Sequence, residues 1–268
     1  MMNRIRERKK RIMPLWVCIL LFIGSFSFGA ISKVAIKPSW NAKYTAVWSD
    51  KIGTKMTDVS YGEGQANKFD LYLPKDASKD TYGLVVYLHA GGFTSGDKSG
   101  DENMLAWLCS KGYVAAGINY TLCTDTNNAS VLSQSNEIKE AIPLVVEEAK
   151  KQGFNIDKMT VAGGSAGHTL AMIYAYRDAK ESPVPVVFTF DGVGPSCFYV
   201  EDWKNFGFDQ DTEESRTAAA VLFSVMSGVK ITPDEIQNNS YKFVAKNPHA
   251  CVWDESHISL DIYLEKNI

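Results

Sequence analysis

Histidine is scarce in this chain, with four copies among 268 residues, at positions 89, 168, 249 and 257. There is no His pair at ligand spacing and no acidic cluster, so nothing argues for a metal, and no cofactor is expected. The five cysteines include Cys18 in an apolar segment; Cys109, Cys123, Cys197 and Cys251 show neither paired metal-ligand spacing nor a dense disulfide framework. A Cys109–Cys123 disulfide outside the cytoplasm is one reading of them, and unpaired small core residues the favoured one. Excess positive charge is also missing: the net charge is −3, and six of the basic residues sit in the first 11 positions. The remainder is acidic, which excludes a nucleic-acid partner. No repeats occur, which excludes a solenoid.

Charge is absent altogether from residues 12–31, which follow the basic tail 1–11. Twenty helical residues span about 30 Å, one bilayer core. The basic flank would stay cytoplasmic and the rest of the chain would lie outside. Two readings compete. One is a transmembrane anchor; the other is a signal peptide cut near Ser27, Gly29 and Ala30, after which the domain is secreted. Residues 32–55 read as a linker and 56–268 as the folded domain.

That domain alternates. Val59–Tyr61 and Lys68–Leu73 read as early strands, the second ended by Pro74, and Leu84–Leu88 is a continuous apolar strand. A helix over Asn103–Ser110 ends at Gly112, and a strand follows over Tyr113–Ile118. Ile138, Ala141, Ile142, Val145, Val146 and Ala149 recur at i, i+3, i+4, i+7 spacing and mark a helix, with Pro143 off its apolar face. Strands at Met159–Ala162 and Val184–Phe190 complete the pattern. Repeated β-α-β units predict a doubly wound, mostly parallel α/β sheet with reactive groups at the carboxyl ends of its strands.

Two glycine-rich stretches fall at such ends. Gly163-x-Ser165-x-Gly167 lies between a short strand and the helical repeat Ala166, Leu170, Ile173, Tyr174. Small residues flank the serine as a sharp strand-to-helix turn requires, although any glycine turn matches this pattern. His89-Ala90-Gly91-Gly92-Phe93 follows the Leu84–Leu88 strand and offers backbone N–H groups to a ligand. Gly91 or Gly92, with the N–H of Ala166, would form an oxyanion hole, each such donor being worth roughly 2.7–4 kcal/mol of barrier.

On these residues the chain resembles the α/β-hydrolase family, in its esterase branch with a His-Gly-Gly-Gly loop and Gly-x-Ser-Ala-Gly elbow, similar to hormone-sensitive-lipase-like and acetyl/feruloyl-esterase-like enzymes. Asp70-Leu71-Tyr72-Leu73-Pro74, Gly96-Asp97-Lys98 and Asn119-Tyr120-Thr121-Leu122 share in the resemblance, which spans about Asn67 to Gly194. It departs at Ala90 and His168, neither of which removes a backbone N–H. The resemblance implies a serine carboxylic-ester hydrolase acting on a small-molecule ester, with Ser165 as nucleophile, and a helical lid over about 193–246. Within the lid, Asp211 with Glu214 and Thr232 with Glu235 read as capping boxes.

In the family the acid and the histidine follow the serine in chain order. In this reading His89 braces its loop and His168 points from the wrong side of the elbow, leaving His257, with His249 weaker. Asp254 stands three residues from His257, too close for both usual places, and Asp191 after the last strand is an alternative acid. Only 22 residues follow Lys246, where two more βα units take on the order of 50. The chain therefore reads as C-terminally incomplete, either truncated or naturally degenerate. The expectation divides between a membrane-anchored or secreted esterase and a catalytically incompetent scaffold or binding protein. Peptidase activity ranks third.

Overall fold

The computed structural model describes residues 44–124, 126–194, 212–227, 230 and 232–234. The basic tail, the uncharged segment 12–31, Trp203, Phe206, Phe208, Cys197, His249, Cys251, Asp254 and His257 lie outside the described residues. No helix among those described is long and apolar enough to cross a membrane. The elements belong to the unit Thr45–Ile268.

Six strands, β1 (Gly53–Ser60), β2 (Lys68–Pro74), β3 (Tyr82–Leu88), β4 (Val114–Ile118), β5 (Ile156–Gly164) and β6 (Val186–Gly192), form one sheet in the order β1-β2-β4-β3-β5-β6. The first two pairings, β1 with β2 and β2 with β4, are antiparallel. From β4 through β3 and β5 to β6 every pairing is parallel. The mostly parallel expectation therefore holds for four strands, with an antiparallel pair at one side.

Helices α1 (Glu102–Ser110), α2 (Val131–Lys151) and α3 (Ala166–Ile173) connect the parallel strands, and α4 (Glu213–Ser227) follows. Strand side chains alternate between faces. Leu84, Val86 and Leu88 of β3 join Ile138, Ile142 and Val145 of α2 and Leu170 of α3 in the main core. Val85 packs instead with Leu105 and Leu108 of α1 and Tyr72 of β2. Apolar faces covered on both sides make this a doubly wound sheet.

Several boundaries differ from expectation for identifiable reasons. β1 starts at Gly53 rather than Val59, and Trp48 and Ile52 pack on the α1-side cluster, so the 32–55 stretch is not wholly linker. This strand is half solvated and its register slips between Met56 and Val59, which hides the period-two pattern. β5 begins three residues early because exposed Asp157 and Lys158 interrupt its apolar run. β6 extends to Gly192, so Asp191 lies within the strand rather than after it. Pro143 is exposed on α2, which runs through it unbroken.

Asp211 lies outside the described residues, and the N-terminal box of α4 is closed by Thr212 and Ser215. Each of these two backbone N–H groups donates to the other residue's hydroxyl, at 3.2 and 3.1 Å. Ala220 of this helix reaches the main core. Cys109 and Cys123 are both buried thiols. Burial pushes their thiols up to about 12 and about 11, so they behave as small apolar residues.

Candidate active site

Leu88 ends β3 in register with Gly163 of β5, and Gly163 in turn pairs with Asp191 of β6. The loops that leave these strands therefore begin side by side. Ser165 stands where β5 becomes α3, at φ 53° and ψ −117°, a conformation costly for any residue with a Cβ. Its N–H donates to Gly192 O at 3.0 Å, which ties the turn to the end of β6. The side chain is exposed.

Close approach explains the flanking glycines. A Cβ at Gly163 would overlap the Gly167 carbonyl, and one at Gly167 would overlap the carbonyl of Leu88. The turn packs that tightly between helix and strand. The sequence pattern around Ser165 is thus a steric necessity of this geometry rather than a chance glycine loop.

The loop after β3 is held from several sides. Gly91 (φ 141°), Gly92 (φ 60°) and Phe93 (φ 68°) carry the chain through left-handed conformations. The Gly91 carbonyl accepts from Thr94 N–H at 3.1 Å, Ser95 N–H at 3.0 Å and the Ser95 hydroxyl at 2.9 Å. Among the described residues nothing accepts a hydrogen bond from the N–H of Gly91, Gly92 or Ala166. Those three donors lie at the start of this loop and at the first position of α3, where a helix has no internal acceptor to offer.

His89 is held by its neighbours. Its ring stacks on Tyr120 at 4.3 Å, and Tyr120 donates to the His89 carbonyl at 2.8 Å. Nδ1 lies 2.9 Å from the Ala90 carbonyl, which only accepts, so Nδ1 carries the proton. Burial holds the ring's pKa below the usual histidine range, so the imidazole is neutral. His89 braces the loop. His168, one turn into α3, is half-buried, with Gly194 running against its Cβ.

The far end of the loop is fixed by charge. Lys98, buried, pairs with Asp70 at 3.1 Å and Asp58 at 2.8 Å. Its N–H donates to Asn119 Oδ1 at 2.7 Å, while Asn119 Nδ2 donates to Asp97 at 2.7 Å. Gly96-Asp97-Lys98 and Asn119-Tyr120 are therefore struts that tie the loop to β2 and β4. Gln134 of α2 adds a third support, donating to the Phe93 carbonyl at 2.9 Å. Sequence reasoning passed over it. The available signal was a polar residue four before Ile138, on the stripe that the helix buries.

Of the expected site residues, the structure brings together the strand ends bearing Ser165, Ala166, Gly91 and Gly92, with the Asp191 backbone one strand away. Asp254 and His257 lie outside the described residues. No group of three or more His, Cys, Asp or Glu that could hold a metal occurs among those described.

A mixed sheet in this order, wrapped by helices on both faces and carrying a serine at a strained β5–α3 turn, defines an α/β-hydrolase fold. The chain belongs to the BD-FAE family, an esterase family of that fold, whose model matches residues 69–247. It is 31% identical over 137 residues to a kynurenine formamidase of Salmo salar, covering 51% of this chain and 44% of that protein. It is also 27% identical over 121 residues to the Mycobacterium tuberculosis protein named "Probable carboxylic ester hydrolase LipM", covering 44% of this chain and 27% of that one. The chain spans less than half the length of the curated relatives it matches. A solved structure of esterase B from Lactobacillus rhamnosis superposes with a TM-score of 0.51 at 20% identity, covering 85% of this chain and 72% of that one, a likeness of fold.

Proposed function

We propose that this protein hydrolyses carboxylic esters of small molecules, with Ser165 as nucleophile. The observation that carries the reading is the backbone of Ser165, strained at φ 53° on the β5–α3 turn beside a loop whose Gly91 and Gly92 N–H groups meet no acceptor among the described residues. Strain of this kind persists where the surroundings impose it, and here it leaves the hydroxyl exposed at the sheet's carboxyl end.

In the reaction, Ser165 Oγ adds to the ester carbonyl as a base takes its proton. Negative charge grows on the carbonyl oxygen and is met by the N–H groups of Gly91, Gly92 and Ala166. The alcohol leaves with that proton, and water then releases the acid from the acylated serine. His257 is the base in this proposal, oriented by Asp191. The kynurenine formamidase relative adds formamides to the substrates worth comparing.

The test is hydrolysis of p-nitrophenyl acetate and butyrate by the full chain and by Ser165→Ala. The substitution is expected to lower kcat by on the order of 10⁴- to 10⁶-fold. Hydrolysis that survives it contradicts the assignment, and a folded wild-type chain without turnover supports the incompetent scaffold instead.

A further inference from the structure

Resting on that reading of Ser165, we infer that Gln134 is a positioning residue for the oxyanion hole: its buried amide, donating to the Phe93 carbonyl, aims the Gly92 N–H through two peptide units joined by a hydrogen bond.

Gln134 sits on the core-facing stripe of α2 and is fully buried. Its Nε2 donates to Phe93 O at 2.9 Å and to Thr121 O at 2.8 Å. Both partners are carbonyls, so the amide can be oriented only one way. Its Oε1 is buried without a partner. A core position carries an unpaired acceptor at a cost, and what it gains is a donor that joins the loop after β3 to the segment after β4.

No peptide bond among the described residues is cis. In a trans peptide the carbonyl and the following N–H point to opposite sides. Fixing the Phe93 carbonyl therefore sets the direction of the Thr94 N–H, which donates to Gly91 O at 3.1 Å. Fixing the Gly91 carbonyl in turn directs the Gly92 N–H away from it, to the side where no described residue accepts it.

Cys123 N–H shares the Phe93 carbonyl at 2.9 Å. Phe93 itself holds φ 68°, a conformation that its neighbours must impose. Two α2 residues converge on this region, since Glu137 accepts from Thr121 N–H at 2.6 Å. Of these, Gln134 alone reaches the oxyanion loop.

The experiment is steady-state hydrolysis of p-nitrophenyl butyrate by the full chain, wild type against Gln134→Met and Gln134→Glu, beside thermal melts. Gln134→Met keeps the volume and removes the donor. It is expected to lower kcat about 10- to 100-fold with KM within about twofold, and to weaken inhibition by a trifluoromethyl ketone in parallel. That inhibitor binds when Ser165 Oγ adds to its carbonyl, so its adduct needs the same hole.

In Gln134→Glu a protonated carboxyl still donates to Phe93 O and an ionised one does not. The ratio of its kcat to wild type should therefore rise as the pH is lowered. A Gln134→Met protein with wild-type kcat, a loss that tracks only the unfolded fraction, or a pH-independent Gln134→Glu ratio overturns the inference. Wild-type hydrolysis that survives Ser165→Ala refutes the underlying reading instead, and the two failures are told apart by that control.

Discussion

Ser165 keeps a side chain where glycine would be the relaxed choice. At φ 53° and ψ −117° the strain is of order 1–3 kcal/mol, imposed by Gly163 and Gly167 packing against helix and strand. Ser165→Gly should therefore raise stability by about 1 kcal/mol in denaturant melts while abolishing ester hydrolysis; equal or lower stability contradicts the strain argument. Such an exchange of stability for function is what the proposed nucleophile role of Ser165 implies. These residues were legible in the sequence because sterics admit little else around a serine in such a turn. Gln134 was not, since one polar residue in an apolar stripe has no meaning until its carbonyl partners, 41 and 13 residues away in sequence, are brought to it. Asp191 was placed near the right strand end but two residues out of register with it, because the β-branched run at Val184–Val187 begins before the pairing does.

Among the elements, α2 was the most legible. Ile138, Ala141, Ile142, Val145 and Ala149 are all fully buried, as their spacing implies, and each large one contributes about 1.5–3 kcal/mol by burial. That packing is what holds the helix continuous through Pro143, whose ring and missing N–H cost about 3 kcal/mol in a helix interior. Pro143 faces solvent, so Pro143→Ala gives up no core contact. It should stabilise the protein by about 2 kcal/mol, the helix gain less the roughly 0.4–1 kcal/mol of unfolded-chain entropy that proline removes. A melt unchanged by Pro143→Ala would mean the helix has already relaxed around the ring. β1 was legible only in part, because an outer antiparallel strand with one solvated face and a register slip presents polar residues where a buried parallel strand presents valines.

At the scale of the whole molecule the two-faced sheet was readable from the alternation of apolar runs, whereas the antiparallel pairing of β2 with β4 was not, as strand direction leaves no mark on a buried strand's composition. Its stability should depend on pH through two neighbouring carboxyls with opposite shifts. Burial raises Asp101, at the N-terminus of α1, to about 6. Its protonated form is favoured by folding, so that contribution is present below about pH 4 and is lost as the pH rises through about 6. Asp101→Asn should remove the loss, gaining on the order of 2 kcal/mol at pH 8 and nothing at pH 4. For Asp97, burial opposes ionisation, but hydrogen bonds from Ser99 and Asn119 prevail and hold it at about 2. Its contribution is present above about pH 4 and lost as the pH falls through about 2. Melts of wild type and Asp101→Asn between pH 2 and 8 check both limbs; parallel curves contradict the Asp101 assignment.

The central claim is that Ser165 is an activated nucleophile. Its most direct measurement is labelling of the full chain with a fluorophosphonate probe, read by intact mass beside a Ser165→Ala control. The proposal predicts one adduct on the wild-type protein and none on the control. A folded wild-type chain that takes no label would contradict it.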